Sequence, residues 1–208
     1  MKTKEIKNNL KKFWDFIWND DSWQSWVVSL ILAFLIIKFI FFPLLSLIFG
    51  SSMPLVVVES SSMHHDGFFI SNWFQLSSSF NAWWDQYNGW YLNKNITIEG
   101  AKNWPLKTGF EQGDIIVLWR PTHLQIGDII VFSANTQHPI IHRIINITTD
   151  NTNRTIYSTK GDNNNLPGGE QHPFEKQIAE EQIIGKAIFI IPKLGWIKLF
   201  LFRITGLA

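Results

Sequence analysis

The sequence predicts a mainly β protein: a single N-terminal transmembrane helix, then an all-β domain that carries an aromatic-rich insertion. Three observations predict it. One long apolar run lies near the N-terminus. Behind it, short β-branched runs follow turn dipeptides, with no amphipathic helices between them. A Trp-crowded stretch of different texture then interrupts those runs.

Residues 1–22 form a basic leader in which Lys2, Lys4, Lys7, Lys11 and Lys12 crowd together. Positive charge flanking an apolar span stays on the cytoplasmic side, so the N-terminus is expected in the cytoplasm. Residues 23–43 are the expected anchor. The 20 residues from 23 to 42 read WQSWVVSLILAFLIIKFIFF, and at 1.5 Å rise each they span roughly 30 Å, a bilayer core. Lys38 is their one charge, and its stem lets the ammonium snorkel to the outer interface. Trp23 and Trp26 suit an inner aromatic belt. The run is longer than the apolar core of a cleaved signal peptide. Pro43 is expected to end or kink the helix. The apolar residues 43–50 are then expected to skim the outer interface.

Residues 44–192 are the expected extracytoplasmic β domain. Leu55-Val56-Val57-Val58 is its first strand candidate. Asp114-Ile115-Ile116-Val117-Leu118 and Asp128-Ile129-Ile130-Val131-Phe132 are two more, each opened by the turn dipeptide Gly-Asp. Residues 140–147 and 183–191 add two. The insertion, about 66–111, holds Trp73, Trp83, Trp84, Trp90 and Trp104. It reads either as a satellite core of aromatics or as a flap that leans on the membrane or guides substrate. Residues 193–208 are too short and too charged to span, and read as an amphipathic interfacial segment.

With 208 residues the chain has room for one domain plus an anchor. Its zero Cys excludes thiolate chemistry and Cys-based metal sites. A net charge of +1 excludes a nucleic-acid surface as its main business. Eleven Trp and 17 Phe suit life at a membrane interface. Three Asn-x-Thr sequons, at Asn95, Asn146 and Asn153, all fall on the expected outer side.

Three residues in separate segments carry the candidate chemistry. Ser62 ends a β-branched strand. His142 sits inside the apolar run Ile140-Ile141-His142-Arg143-Ile144-Ile145, where a half-buried imidazole needs a partner on each nitrogen. Asp162 lies in Lys160-Gly161-Asp162-Asn163-Asn164. A serine, a histidine and an aspartate are the parts of a nucleophile, its base and the base's orienter. Singly, each has a blander reading: a loop serine, a histidine on a wet strand face, an Asx-turn aspartate. His64, His65 and Asp66 could suggest a metal, but adjacent residues rarely converge on one ion and no distant ligand set matches them. Neither metal nor cofactor is expected.

These segments together resemble the type I signal peptidases, in the archaeal and endoplasmic-reticulum branch. The family carries Ser-Gly-Ser-Met after an anchor, two Gly-Asp strands, Ile-His-Arg-Val and Lys-Gly-Asp-Asn. The corresponding stretches here are Ser60-Ser61-Ser62-Met63, Gly113-Asp114 and Gly127-Asp128 with their strands, Ile141-His142-Arg143-Ile144, and Lys160-Gly161-Asp162-Asn163. Gly185-Lys186-Ala187 and Ile191-Pro192-Lys193-Leu194-Gly195 resemble the closing strand and turn. The resemblance covers the anchor and most of residues 53–195, excluding the insertion. It implies a signal-peptidase-like catalytic domain and a serine endopeptidase that removes N-terminal signal peptides from exported proteins after small residues. It makes Ser62 the nucleophile, His142 the base in place of the bacterial branch's Lys, and Asp162 the orienter. Ser60 and Ser62 would form the oxyanion hole.

The chain departs from the family pattern at Ser61, where Gly is expected, near His65, where Pro is expected, and in the insertion. The family's second acid beyond Gly-Asp-Asn has no match at the same spacing, and Glu170 is the candidate additional acid. Implied partners are the signal peptides of preproteins, the lipid bilayer and the protein translocation channel. The implied place is a cell membrane or, alternatively, the endoplasmic reticulum membrane, with the catalytic domain extracytoplasmic. The competing reading is a non-catalytic, membrane-anchored relative that binds exported chains or assists a peptidase complex.

Overall fold

A computed structural model describes residues 2–65, 76–164 and 171–205. Trp73, Asp66 and Glu170 lie outside the described residues. The chain divides into two compact units, residues 1–48 and 49–208.

The first unit is helical. Helix α1 (Lys2–Asn19) carries the basic leader, and α2 (Trp23–Ile36) opens behind Ser22, whose hydroxyl accepts from the Ser25 N–H. Ser25 Oγ in turn donates to the Phe16 carbonyl at 2.5 Å, stitching α1 to α2. Pro43 does not end the helix. A π-helical turn (Ile37–Phe41) leads into α3 (Phe42–Phe49), so helix runs from Trp23 to Phe49. Proline removes one N–H and crowds the carbonyl four residues back, which here belongs to Phe39, and the wider π turn accommodates both. These 27 residues are long and apolar enough to cross a membrane.

The second unit is built on one antiparallel sheet of seven strands: β1 (Leu55–Val57), β2 (Ile115–Trp119), β3 (Ile129–Phe132), β4 (Ile140–Thr149), β5 (Thr155–Lys160), β6 (Ile178–Ala179) and β7 (Ile183–Ile191). Their order across the sheet is β1-β2-β7-β3-β4-β5-β6. The five strand candidates are all present, and β5 and β6 join them. The unbroken apolar run of β3 has a clear cause, because both its faces are buried. Ile129 and Val131 enter a cluster with Val58, Met63, Phe110 and Ile116, while Ile130 and Phe132 enter another with Ile144, Tyr157 and Ile178.

The two Gly-Asp turns are built alike. The Asp114 carboxylate accepts from the Glu111 and Lys193 N–H groups, and Asp128 accepts from the Gln125 N–H and the Lys186 ammonium. Gly127 has φ +99°, and a Cβ there would stand 2.0 Å from the Trp104 ring, so only glycine fits.

Where it is described, the insertion carries two helices joined and followed by turns. Helix α4 (Leu76–Leu92) and the short α5 (Ile98–Ala101) build an aromatic core of Phe80, Trp83, Trp84, Tyr87, Tyr91 and Trp104 against Ile145 of β4. The aromatics do form a satellite core, and two of them also bond to the Asp162-Asn163 segment. Helix α6 (Trp196–Thr205) follows β7 and exposes Ile197, Phe200 and Ile204. Its Lys198 pairs with Glu59 at 3.0 Å.

Candidate active site

Ser62 stands in the turn that leaves β1, closed by a His64 N–H bond to the Ser61 carbonyl at 3.0 Å. It is half-buried. Its hydroxyl lies 3.1 Å from that of Ser60. The turn is moored from below by Met63, which is 1% exposed. The Met63 carbonyl accepts from the Phe110 N–H, and its sulfur accepts from the Asp162 N–H.

The Gly161-Asp162-Asn163 turn after β5 is the hub of the site. The Asn163 N–H donates to the Ser62 carbonyl at 2.8 Å, and its side-chain amide donates to the Ser61 carbonyl at 3.1 Å. Gly161 lies against the other partner, since a Cβ there would stand 2.8 Å from His142 Nε2. One three-residue turn thus touches both the serine segment and the imidazole nitrogen that would serve as base. Gly161→Ala is expected to cut turnover at least about tenfold by displacing that ring, with little change in Tm; a wild-type rate would disprove the contact.

His142 sits on β4 opposite Ile130 of β3, and is 5% exposed. Its Nδ1 lies 2.5 Å from Glu175 Oε1, close enough for an ion pair, and neither atom has a hydrogen-bond partner among the described residues. Glu175 is fully buried in a 3-10 turn (Pro173–Glu175), where its second oxygen accepts from the His172 N–H at 2.8 Å. A carboxylate on Nδ1 selects the tautomer with the proton there and leaves the Nε2 lone pair free.

Asp162, the expected orienter, is engaged elsewhere. Its oxygens accept from Arg143 Nε at 2.9 Å and from an Arg143 terminal nitrogen at 2.6 Å, and one of them meets His65 Nε2 at 3.0 Å. Burial alone would raise its carboxyl pKa. The Arg143 guanidinium and the His65 bond overturn that and hold it well below the usual carboxylate range. Arg143 is itself completely buried, with further bonds to the Pro105, Leu106 and Gly127 carbonyls, and the Trp104 ring lies 5.1 Å from its guanidinium. Glu175, which the sequence reading did not single out, holds the place on His142 assigned there to Asp162. Its only sequence signal was His172-Pro173-Phe174-Glu175, a helical start whose acid reaches back to the backbone.

Asp162→Asn is therefore expected to act first on the fold. Breaking a buried ion pair from one side costs on the order of 3 kcal/mol, readable by denaturant unfolding. The pH dependence follows in sign. A depressed folded-state pKa means this stability is complete above the ordinary carboxylate range and is lost as pH falls through the lowered value. The Asn variant should thus lose the steep part of acid unfolding that this group causes.

The departures near His65 and the insertion are two sides of one arrangement. His65 is buried and stacks on Trp83 at 4.5 Å with the rings 5° apart. Burial pushes its imidazole pKa down, against the bond to Asp162. The Trp83 indole N–H donates to the Asp162 carbonyl at 2.9 Å, and the Tyr87 hydroxyl donates to Asn163 Oδ1 at 2.8 Å. His64 goes another way, to Glu111 at 3.4 Å, so the two histidines do not converge.

No protein-family model matches the chain. Among curated proteins it is similar to the signal peptidase complex catalytic subunit SEC11 of Lachancea thermotolerans, with 30% identity over 141 residues, 64% of this chain and 81% of that protein. The subunit of the same name from Zygosaccharomyces rouxii is 28% identical over 142 residues, again 64% of this chain and 81% of the relative. That of Plasmodium falciparum is 29% identical over 98 residues, and the match spans 53% of its length and 46% of this chain.

Proposed function

Because the chain belongs to the type I signal peptidase family, in the branch of the endoplasmic-reticulum catalytic subunits, we propose that it removes N-terminal signal peptides from exported proteins. It works as a membrane-anchored serine endopeptidase. The observation that carries this reading is the Gly161-Asp162-Asn163 turn, which holds the Ser62 segment on one side and packs against His142 Nε2 on the other.

In the first step Ser62 Oγ attacks the carbonyl of the small residue that ends the signal peptide, and His142 Nε2 accepts its proton. His142 then gives that proton to the leaving amine. Glu175 holds Nδ1–H and balances the imidazolium as it forms. The Ser62 N–H and the Ser60 hydroxyl donate to the oxyanion, a contribution of about 3 kcal/mol in sites of this kind. β1 is an edge strand and leads straight to Ser62, so an extended substrate segment can add to it.

The basic leader keeps the N-terminus in the cytoplasm and the β domain on the far side, in the endoplasmic reticulum or a cell membrane. The relatives' name, which describes a complex, supports assembly with further subunits, and the translocation channel is the natural source of substrate.

The test is cleavage of a secretory preprotein by the detergent-solubilised chain beside Ser62→Ala. Processing by the wild type alone is expected. Equal processing by both would remove Ser62 from the mechanism. Processing by neither, from folded protein, would favour a binding relative.

A further inference from the structure

Asn163 touches the Ser62 segment twice, and α4 holds both of its amides from behind. The Asn163 N–H donates to the Ser62 carbonyl at 2.8 Å, and its side-chain NH2 donates to the Ser61 carbonyl at 3.1 Å. A carbonyl can only accept, so the NH2 must face Ser61 and Oδ1 must face away from it. Oδ1 accepts from the Tyr87 hydroxyl at 2.8 Å. The backbone amide is held in the same manner, because the carbonyl of the Asp162–Asn163 peptide accepts from the Trp83 indole N–H at 2.9 Å. Trp83 and Tyr87 stand four residues apart on α4, on one helix face, and both are buried. Lys160, just before the turn, seats the helix there. Its buried ammonium lies 5.2 Å from the Trp90 ring, 5.6 Å from Tyr91 and 5.7 Å from Tyr87, and donates to the Gly161 carbonyl at 3.0 Å.

We propose that Tyr87 and Trp83 are positioning residues of the oxyanion site: through the two amides of Asn163 they fix the peptide units on either side of Ser62, and so aim the Ser62 N–H. The proposal rests on the peptidase reading above, in which that N–H receives the oxyanion.

The Ser61 carbonyl and the Ser62 N–H belong to one planar peptide. In the trans form, which every described peptide bond takes, they point opposite ways. Holding the carbonyl therefore sets the direction of the N–H. The His64 N–H also reaches the Ser61 carbonyl, but it belongs to the same turn and moves with it. Asn163 instead ties that carbonyl to the end of β5, and α4 ties Asn163. The following peptide is held at the Ser62 carbonyl. The chain of bonds polarises as well as positions: a donor on Oδ1 makes the NH2 a stronger donor, and a donor on the Ser61 carbonyl does the same for the Ser62 N–H. An oxyanion donor acts on the transition state and not on the bound substrate. The insertion thus has a task beyond filling a core.

The experiment compares wild type with Tyr87→Phe, Trp83→Phe and Asn163→Asp in detergent, with circular dichroism to check folding. One readout is kcat and KM separately, on a preprotein. The other, independent of turnover, is the backbone amide resonance of Ser62 in chain made with nitrogen-labelled serine, identified by its absence from Ser62→Ala. Tyr87→Phe keeps the ring and removes only the donor. It should lower kcat about tenfold with KM within about twofold, a fraction of the roughly 10^2 to 10^3 lost when an oxyanion donor is removed outright. It should also shift or broaden the Ser62 amide. Asn163→Asp sets an acceptor against the Ser61 carbonyl and should cost about 10^2-fold in kcat. Adding Tyr87→Phe to it should cost little more, since both cut one relay. Trp83→Phe should act on the Ser62 amide and on kcat in the same direction, and it decides the matter if Tyr87→Phe does not fold. A folded Tyr87→Phe with wild-type kcat, with its whole loss in KM, or with an unmoved Ser62 amide overturns the proposal. A moved amide in a chain that cleaves no preprotein would uphold the relay while sinking the peptidase reading.

Discussion

Ser62→Ala is expected to lower preprotein cleavage by about 10^5-fold with no loss of fold, and His142→Ala by a similar factor. The two effects arise from one unit and will not add, so the double variant should be no worse than either single one. Ser62→Ala is the cleaner experiment. The mooring of the turn runs through backbone groups of Ser61, Ser62 and Met63, and the hydroxyl contacts that of Ser60. His142→Ala also strips the Glu175 carboxylate of its partner and leaves it buried, so a lowered Tm will accompany the lost activity. Gel-shift processing of a preprotein, with circular dichroism on the same samples, reads both. Substantial cleavage by the Ser62 variant would exclude it as nucleophile.

Glu175→Gln is expected to lower kcat by about 10^4-fold, because an amide can present its NH2 to Nδ1 and favour the wrong tautomer. It is nearly the same shape as Glu, so Tm should change little. The comparison with Asp162→Asn gives the prediction its force. That variant should lose stability first, and activity only as far as the Gly161-Asp162-Asn163 turn loosens. The opposite ranking, with Asp162→Asn silent in unfolding and severe in kcat while Glu175→Gln cleaves normally, would move the orienting role back to Asp162. Glu175→Asp offers a finer check, since a carboxylate set back by one methylene should recover part of the rate.

Much of the fold was legible from local pattern. The apolar run of residues 23–42, the Gly-Asp strand openers and the β-branched runs each state their structure within a few residues, because chain geometry and burial act locally there. Ser62 and His142 were legible in the same way, from motif and neighbourhood. Helix α4 could have been read as well. Phe80, Trp83, Trp84, Tyr87 and Tyr91 recur at spacings of three and four, the period of a helix face. The helix running on through Pro43 was not legible, since a π turn answers to packing and not to composition.

The pairing of the acids lay beyond any local pattern. His142 and Arg143 are neighbours in sequence, but successive strand residues project to opposite faces. Which acid meets which side chain therefore depends on where the strand lies among its neighbours. Arg143 found Asp162, and the 3-10 turn brought Glu175, 33 positions beyond His142, to its Nδ1. Residue types and their order were enough to mark the apolar N-terminal helix, the β domain, and Ser62 and His142 as candidate nucleophile and base. Long-range packing alone could bring Glu175 to His142, bury Lys160 among three rings and join an aromatic insertion to the Asp162 turn, because those placements are set by distances between segments that the linear chain does not contain.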